Sequence, residues 1–252
     1  IDTFDYTVID VNGATDTATV SILVTGVNDD PVAGDDSDST DEDTVLNVAA
    51  NGVLGNDTDA DTGETATLTV DSHDATSAQG ATVTVNADGS FDYDPTGAAA
   101  LQALVAGTTV MDTFDYTVID VQGATDTGTV TITVTGVNDD PVAAADSDST
   151  DQDTVLNVAA NGVLGNDTDT DTGETATLFV SGHDATSAQG ADVTVNADGS
   201  YSYDPTVSAT LTALAQGASV MDTFDYTVED AQGATDTAVS YTHLTLPTKS
   251  SG

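Results

Sequence analysis

The heptapeptide DTFDYTV occurs three times in the sequence, at residues 2–8, 112–118 and 222–228. Its apolar residues, which are Phe4, Tyr6 and Val8 in the first copy, alternate with polar ones. Alternation with a period of two is typical of a β-strand that has one face in a core and the other in solvent. Segments 2–111 and 112–221 differ at only 22 of 110 positions. A period of this length predicts a tandem array of independently folding domains rather than a solenoid.

The remainder of each unit also predicts β-structure. The segment ATVTVNADGSFDYDP at 81–95 predicts a hairpin, because alternating Val and aromatic residues flank the turn NADG, in which Gly89 tolerates a positive φ. Further strands are predicted in PVAGDDSDST, TVLNVAA, ATLTVDS and DTATVSILVTG. About seven strands in roughly 100 residues predict an all-β fold of tandem immunoglobulin-like β-sandwiches. The helix-like piece AAALQALVAG is expected to close one open end with Leu101 and Leu104.

The repeat period also predicts the domain boundaries. The stretch VTGVNDDPVA lies between strand patterns at 24–33 and again at 134–143, and we predict that it is the linker. We expect four units. Residues 1–27 are the last two strands of a truncated preceding repeat, and residues 28–137 are a complete repeat. Residues 138–240 are a second repeat with a divergent or truncated last strand, and residues 241–252 are a non-native tail. The tail contains the only basic residue, Lys249, and resembles a translated sequencing adaptor.

Charge limits the partners of this chain. Its 252 residues include 44 Asp+Glu and one Lys+Arg, which gives a formal net charge of −43. Nucleic acid and anionic membranes are themselves negative and are excluded as natural partners. Because Cys is absent, no disulfide can form, and no apolar run is long enough for a membrane span. A domain outside the cell then needs another means of stabilisation, and a bound cation is the obvious one.

The carboxylates gather in loops between the predicted strands, whereas the strand faces carry mostly Thr and Ser. Dense clusters lie at 9–13, 27–31, 35–43 and 55–64, with counterparts 110 residues further on. Two carboxylates about 4 Å apart repel each other by roughly 4 kcal/mol at an effective dielectric constant of about 20. Packing several of them together therefore destabilises the fold unless a cation is bound.

Ligand chemistry indicates which cation this is. Six to eight oxygen ligands are typical of Ca²⁺, whereas zinc and copper favour Cys and His, which are absent and scarce here. Alternating Asp57, Asp59 and Asp61 are chemically like an ion-binding loop. Gly63 and Glu64, however, fall at the wrong spacing for the twelve-residue helix–loop–helix motif.

Three longer segments carry a resemblance to known repeats. STDEDTVLNVAANGVLGNDTDADTGETATLTV at 39–70 resembles the opening of a cadherin repeat, and YTVIDVNGATDTATVSILVTGVNDDP at 6–31 resembles its closing strands and linker. VNADGSFDYDPTGAAALQALVAGTTVMDTFDYTVID at 85–120 is similar to the VCBS repeats of bacterial RTX-type surface adhesins. The resemblance covers nearly every residue up to 238. It implies cadherin-like Greek-key sandwiches in tandem, with Ca²⁺ at the junctions, in adhesins secreted to the bacterial cell surface.

The resemblance also implies a ligand set. Glu42 would be the acidic ligand near the start of the domain, and Asp59 and Asp61 the paired acids of the loop. One joint would combine Glu42, the linker residues 138–140 and three acids at the top of the next domain. With their neighbours in the acidic clusters, the candidate calcium ligands are Asp10, Asn28, Asp29, Asp30, Glu42, Asp43, Asp57, Asp59, Asp61, Asp120, Asn138, Asp139, Asp140, Asp153, Asp167, Asp169, Asp171 and Asp230.

Three positions depart from the family pattern. Gly26 stands where the cadherin linker has its first Asp, Gln152 replaces Glu42 in the second copy, and Ala145 replaces Asp35. We therefore expect weaker or differently built ion sites at the far end of the second repeat.

The sequence favours a calcium-stabilised spacer and leaves two alternatives open. The first alternative is an adhesive module that binds glycans or proteins, and the second is an acidic, salt-adapted domain without specific calcium sites. The expected partners are neighbouring repeats and, through other regions, host or matrix glycans and proteins. Catalysis is not expected, because the neighbouring residues Ser72, His73 and Asp74 cannot form a triad and the second copy has GHD there.

Overall fold

The structure is a computed structural model that describes residues 1–245. It contains a two-stranded hairpin followed by two seven-stranded units, called here the first and second repeats. The hairpin consists of β1 (Asp2–Ile9) and β2 (Thr15–Ile22). The first repeat consists of β3 (Asp36–Asp41), β4 (Leu46–Val48), β5 (Thr69–His73), β6 (Thr82–Val85), β7 (Phe91–Asp94), β8 (Thr109–Ile119) and β9 (Thr125–Thr135). The second repeat consists of β10 (Asp146–Thr150), β11 (Leu156–Val158), β12 (Phe179–His183), β13 (Asp192–Val195), β14 (Tyr201–Asp204), β15 (Ser219–Glu229) and β16 (Thr235–Thr245).

Within the described residues, helical structure is confined to one short helix and single 3₁₀ turns. The second repeat has one four-residue helix, α1 (Ala209–Thr212). Single 3₁₀ turns lie at Gly52–Leu54, Thr65–Thr67, Gly162–Leu164, Glu174–Thr177 and Pro205–Val207. Within residues 1–245, no helix is long and apolar enough to cross a membrane.

Each repeat is a sandwich of a four-stranded and a three-stranded sheet. In the first repeat the strand orders are β3-β9-β8-β5 and β4-β7-β6, and the second repeat has the same orders. β3 pairs with β9 in parallel, whereas the other pairs are antiparallel. The prediction of tandem all-β sandwiches with seven strands each is therefore confirmed.

The alternating residues fill the space between the sheets. The inward side chains of β8, which are Phe114, Tyr116 and Val118, are at most 2% exposed. The Phe114 ring packs edge-on against Phe91 of the predicted hairpin, with 5.6 Å between ring centroids. Burying one such side chain contributes about 1.5–3 kcal/mol, so the period-two pattern supplies most of the driving force for the sandwich. The hairpin turn has the expected positive φ of 81° at Gly89.

A buried carboxylate anchors the first residue of the heptapeptide. Asp112 is 0% exposed, and its two oxygens accept hydrogen bonds from the Gln79 and Thr113 backbone N–H groups, the Tyr93 hydroxyl and the Ser77 hydroxyl. Asp222 makes the same four contacts in the second repeat. Four donors compensate an ionised carboxylate for its lost hydration. This Asp therefore joins three segments of the sandwich and contributes nothing to an ion site.

The segment predicted to be helix-like closes one end of the sandwich without forming a helix in the first repeat. Residues 99–103 and 106–107 form turns, and Leu101 is 0% exposed in the core while Leu104 packs against that core. In the second repeat the equivalent residues form α1, because the Ser208 side chain accepts a hydrogen bond from the Leu211 N–H at the helix start.

The last described strand differs from its counterpart. Residues 241–245 belong to β16 and pair with β15, and residues 241–244 also pair with β10. Ser240 and Thr242 are 0% exposed, at the positions that Val130 and Ile132 occupy in the first repeat. Among the described residues, neither hydroxyl has a hydrogen-bond partner. Residues 246–252, including Lys249, lie outside the described residues.

Thr242→Ile is expected to stabilise the second repeat. A buried hydroxyl without a partner costs about 1–3 kcal/mol, and the change adds apolar volume at a core position. Urea unfolding followed by circular dichroism should show a higher transition midpoint for the second repeat. The reverse change in the first repeat, Ile132→Thr, should lower the midpoint by a similar amount. Equal midpoints for Thr242→Ile and the unmodified chain would contradict this account.

Candidate metal centre

The acidic loop of each repeat is shaped by its own backbone hydrogen bonds. In the second repeat the Asp169 N–H donates to the Thr175 hydroxyl over 2.8 Å, and the Asp171 N–H donates to the Asp169 carboxylate over 2.9 Å. The Glu174 N–H donates to the Asp171 carbonyl over 3.1 Å and starts a 3₁₀ turn. These bonds curl the loop, so that three carboxylates separated by two and three residues come together.

Two groups of carboxylates meet at the junction of the repeats. Glu42, Asp139 and Asp171 each offer one oxygen within 4.8 Å of the others, although they come from the first repeat, the linker and the second repeat. Asp169, Asp171 and Glu174 form a second group at the same spacing. We call these five residues the joint cluster. Since Asp171 belongs to both groups, the joint cluster is continuous across the junction.

Hydrogen bonds hold the joint cluster in place. The Val137 N–H donates to Glu42 Oε1 over 2.7 Å, and the Asp139 N–H donates to Asp171 Oδ2 over 3.1 Å. The linker backbone therefore fixes one oxygen of the carboxylate on either side of it and leaves the second oxygen available.

Asp230 supports the linker from the second repeat. Its Oδ1 accepts three backbone N–H groups from the turn after β15, and its Oδ2 accepts the Asn138 side-chain amide over 2.7 Å. Burial opposes ionisation, but these donors outweigh it and hold the pKa of Asp230 below its usual range. Asp230 is therefore an ionised carboxylate next to the joint cluster.

The top of the first repeat carries a smaller copy of this arrangement. Asp59, Glu64 and Asp120 have carboxylate oxygens within 4.8 Å of one another, and we call them the upper cluster. Asn28 donates its amide to Asp120 Oδ2 over 2.8 Å, as Asn138 does to Asp230. Both repeats thus use the first Asp and the Glu of the acidic loop, but the third member differs: it is Asp120 in the upper cluster and Asp171 in the joint cluster.

Several buried oxygens in and directly beside the two clusters have no hydrogen-bond partner among the described residues. They are Glu42 Oε2, Asp59 Oδ2, Glu64 Oε2, Asn138 Oδ1, Asp139 Oδ2, Asp169 Oδ2, Asp171 Oδ1 and Glu174 Oε2. Glu42 and Asp171 are each only 1% exposed. Buried acceptors without donors are rare in folded proteins, since each loses its hydration without compensation.

Burial and mutual repulsion of the carboxylates in the joint cluster disfavour their negative charge, so that a nearby positive charge would stabilise them. Burial raises the pKa of Glu42, Asp139 and Asp169, and the neighbouring carboxylates raise these pKa values further. The sequence has a single basic residue, Lys249, so side-chain ion pairs cannot neutralise the cluster. Carboxylate and amide oxygens without donors are the ligands that a hard divalent cation such as Ca²⁺ takes. The residues present therefore fit a calcium ion at the joint.

The structure brings together part of the predicted ligand set. Glu42, Asp139, Asp169 and Asp171 lie in the joint cluster, with Asn138 and Asp230 bonded to each other beside it. Asp59 and Asp120 lie in the upper cluster with Asn28 nearby, and Asp61 accepts the Asp29 N–H over 2.9 Å. The remaining predicted ligands belong to neither cluster, and they are Asp10, Asp30, Asp43, Asp57, Asp140, Asp153 and Asp167.

Two of these outlying residues have a different environment. Asp57 and Asp167 are 3% exposed and accept hydrogen bonds from the Tyr116 and Tyr226 hydroxyls, inside their own repeats. The backbone N–H groups of Gly34 and Ala144 also donate to them. The exposed Asp10 accepts N–H groups from its own turn, while Asp30, Asp43, Asp140 and Asp153 are exposed.

Glu64 and Glu174 were not predicted as ligands. Each Glu follows the paired aspartates of its loop. Its distance from them along the chain differs from the spacing of the twelve-residue helix–loop–helix motif. The signal available in the sequence was the segment DTGET, in which Gly63 or Gly173 allows the turn that brings the Glu back. The His73 ring accepts the Val85 N–H over 3.3 Å, between β5 and β6.

The fold and the carboxylate-lined junction define a class, tandem β-sandwich repeats of the cadherin type. A family model described as the bacterial cadherin-like domain matches residues 28–136 and 138–244, so the chain belongs to that family. Domains of this family are typically structural and adhesion modules without enzymatic activity, and they generally bind Ca²⁺.

Solved cadherin structures share the fold. The chain is similar to mouse protocadherin-24 EC1-3, with a TM-score of 0.50 and 17% identity over 98% of this chain and 80% of that one. It is similar to mouse cadherin-23 EC22-24 with a TM-score of 0.50 and 14% identity over 97% of this chain and 73% of that one. Comparison with curated protein sequences gives no match.

Proposed function

We propose that this chain is a calcium-stabilised spacer region of a large secreted bacterial adhesin of the RTX type, built from VCBS-like repeats. Ca²⁺ bound by the joint cluster locks neighbouring repeats into one stiff rod outside the cell. The observation that carries the proposal is the convergence of Glu42, Asp139 and Asp171 from two repeats and their linker.

The energetics of such a joint suit an extracellular switch. Extracellular calcium modules bind with dissociation constants of about 10⁻⁴ to 10⁻³ M, well above the concentration of free Ca²⁺ in a cytoplasm. Free Ca²⁺ at about 100 times the dissociation constant stabilises the folded state by roughly 2.7 kcal/mol for each independent site. The joint would therefore keep residual motion during synthesis and become rigid after export.

Linker chemistry supports the same role. Pro141 is buried at the start of the second repeat, and its fixed φ and missing N–H prevent the linker from continuing β9 as a strand. The linker is thus held as a short connection between two sandwiches. A spacer needs this connection to have one geometry.

A calcium titration of the full chain tests the proposal. We expect isothermal calorimetry to detect saturable Ca²⁺ binding, and the melting temperature to fall when EDTA replaces Ca²⁺. Small-angle X-ray scattering should show one extended length in Ca²⁺ and a broader range of lengths in EDTA. If neither the melting temperature nor the length responds, the acidic side chains are a solvated coat and the calcium role is wrong.

The alternative function is an adhesive module that itself binds glycans or proteins. Binding surfaces usually present exposed aromatic anchors. In the two described repeats the aromatic side chains of β7, β8, β14 and β15 are buried. Two strand-face threonines of the first repeat have aromatic counterparts in the second: Thr69 is replaced by the half-buried Phe179, and Thr131 by Tyr241, which is 38% exposed. The spacer is therefore favoured, and saturable binding of the isolated chain on a glycan array would reverse this preference.

A further inference from the structure

A second contact crosses the junction of the repeats without using a carboxylate. The backbone carbonyl of Ala103, in the first repeat, accepts two hydrogen bonds from Thr172 of the second repeat. The Thr172 hydroxyl donates over 2.7 Å and the Thr172 N–H over 3.1 Å. Thr172 directly follows Asp171, so this contact holds the acidic loop of the second repeat against the first repeat. We call Ala103 and Thr172 the peptide latch.

The segment that carries Ala103 is itself fixed to the first repeat. Leu101 is 0% exposed in the core, and the neighbouring Gln102 donates its side-chain amide to the Glu42 carbonyl over 2.6 Å. Gln102 therefore ties the turn that presents Glu42 to the segment that presents the latch. One rigid element positions both the acidic ligand and the peptide contact.

The same segment packs directly on the start of the linker. The Gly136 N–H donates to the Thr108 carbonyl, and the Gly107 N–H donates to the Gly136 carbonyl. A Cβ atom at Gly136 would lie 2.5 Å from the Val105 carbonyl oxygen and 2.7 Å from that of Leu104, too close for any side chain. Gly136 is the counterpart of Gly26, where the cadherin linker has an Asp. The space for that side chain is taken by the backbone of the segment.

At its own far end, the second repeat has no counterpart of the Gln102 side chain or of the Glu42 carboxylate. Thr212 stands in place of Gln102 and donates its hydroxyl to the Ser208 carbonyl inside α1, while Gln152 stands in place of Glu42. Two of the 22 differences between the copies thus fall on one pair of contacting positions. This pairing indicates that Gln102 serves to position Glu42.

We propose that the peptide latch is an ion-independent half of the joint, which replaces the missing linker carboxylate and sets the angle between the repeats before any cation binds. Thr172 and Gln102 are its positioning residues. The ion-free chain then keeps a preferred angle between its repeats, and the cation removes the residual motion. This inference builds on the proposed calcium joint, but its main consequence concerns the ion-free protein.

The test compares Thr172→Val with Thr62→Val in the full chain. Both changes replace a hydroxyl by a methyl group at an exposed position of the acidic loop, but only the Thr172 hydroxyl makes a side-chain hydrogen bond among the described residues. Thr172→Ser, which keeps the hydroxyl, serves as the rescue. Because the sequence has no Cys, the exposed pair Thr84→Cys and Thr194→Cys can carry two spin labels, one on each repeat.

Pulsed electron paramagnetic resonance then measures the distance distribution between the labels in EGTA and in Ca²⁺. In EGTA we expect one dominant distance for the parent chain, for Thr62→Val and for Thr172→Ser. For Thr172→Val, loss of one hydrogen bond should increase the population of other distances roughly fivefold. Gly136→Ala should shift the mean distance, because the segment must move away from the new Cβ.

The results separate the two proposals. Identical distance distributions for Thr172→Val and the parent chain in EGTA would overturn the latch. This includes the case in which the parent distribution is already broad. If Ca²⁺ narrows no distribution, the calcium joint fails, while the comparison in EGTA still decides the latch.

Discussion

Asp171→Asn should abolish most of the calcium-dependent stiffening of the joint. Among the described residues, Asp171 alone belongs to both carboxylate groups of the joint cluster. Its side chain is 1% exposed, so the substitution removes one charge from a site with little water to compensate. Because affinity for Ca²⁺ depends on the number of charged ligands, the dissociation constant should rise by roughly tenfold or more, which corresponds to about 1.4 kcal/mol.

A matched control exists in the first repeat. Asp61 occupies the same loop position as Asp171 and accepts the N–H of the equivalent linker residue, Asp29. It belongs to none of the carboxylate groups found in residues 1–245. Asp61→Asn should therefore leave the joint affinity nearly unchanged. Calorimetry gives the affinities, and scattering in Ca²⁺ shows whether the chain of each variant straightens. Equal losses in the two variants would mean that the joint cluster is not the site that matters.

The melting temperature of the calcium-free protein should rise when the pH is lowered from about 8 to about 5. Burial, reinforced by neighbouring carboxylates, raises the pKa of Asp36 and Asp146 from 3.8 to about 6. Burial also raises the pKa of Glu42, Asp139 and Asp169 at the joint. These carboxyl groups take up protons more readily in the folded chain than in the unfolded one.

The direction of the effect follows from linkage. For a carboxyl group whose folded pKa is raised, the stabilisation is fully present below the unfolded value of 3.8 and is lost as the pH rises through about 6. Asp120 has the opposite effect, because the amide of Asn28 lowers its pKa. Its contribution to the stability of the fold changes only when the pH falls below the ordinary aspartate pKa of 3.8. Between about pH 8 and pH 5, the groups with raised pKa values therefore dominate.

Calcium should reverse this dependence. The ligands must be deprotonated to bind the ion, so protons compete with Ca²⁺ and the melting temperature of the calcium-bound protein should fall over the same range. Thermal melts followed by circular dichroism, with the chain in Ca²⁺ and in EGTA, should give two curves that approach each other as the pH falls. A calcium-free melting temperature that drops toward pH 5 would show that like-charge repulsion among buried carboxylates is not what limits stability.

Sequence alone determined the architecture of this protein. The alternation in DTFDYTV and in the segment 81–95 predicted the strands, because inward and outward side chains of a strand differ by one position and need no knowledge of the fold. The period of 110 residues predicted the tandem arrangement. The linker acids and the Asp59–Asp61 pair were also visible, since each is a contiguous motif.

The tertiary structure decided which carboxylates share a site. Asp57 and Asp59 are two residues apart in one acidic run, yet Asp57 turns inward to the Tyr116 hydroxyl while Asp59 joins the upper cluster. Asp112 is also an aspartate, but its two carboxylate oxygens accept four hydrogen bonds inside the core. Glu174 enters its cluster only because a 3₁₀ turn reverses the chain after Asp171.

The junction depends on tertiary structure most of all. Glu42, Asp139 and Asp171 are far apart in the sequence, and no local pattern specifies that their oxygens meet within 4.8 Å. The peptide latch has no sequence signal either, because one of its partners is a backbone carbonyl and the other is one Thr among many. Strand periodicity is encoded in consecutive residues, whereas a shared ion site and an inter-repeat contact exist only once two folded domains fix the distance between segments that the chain keeps apart.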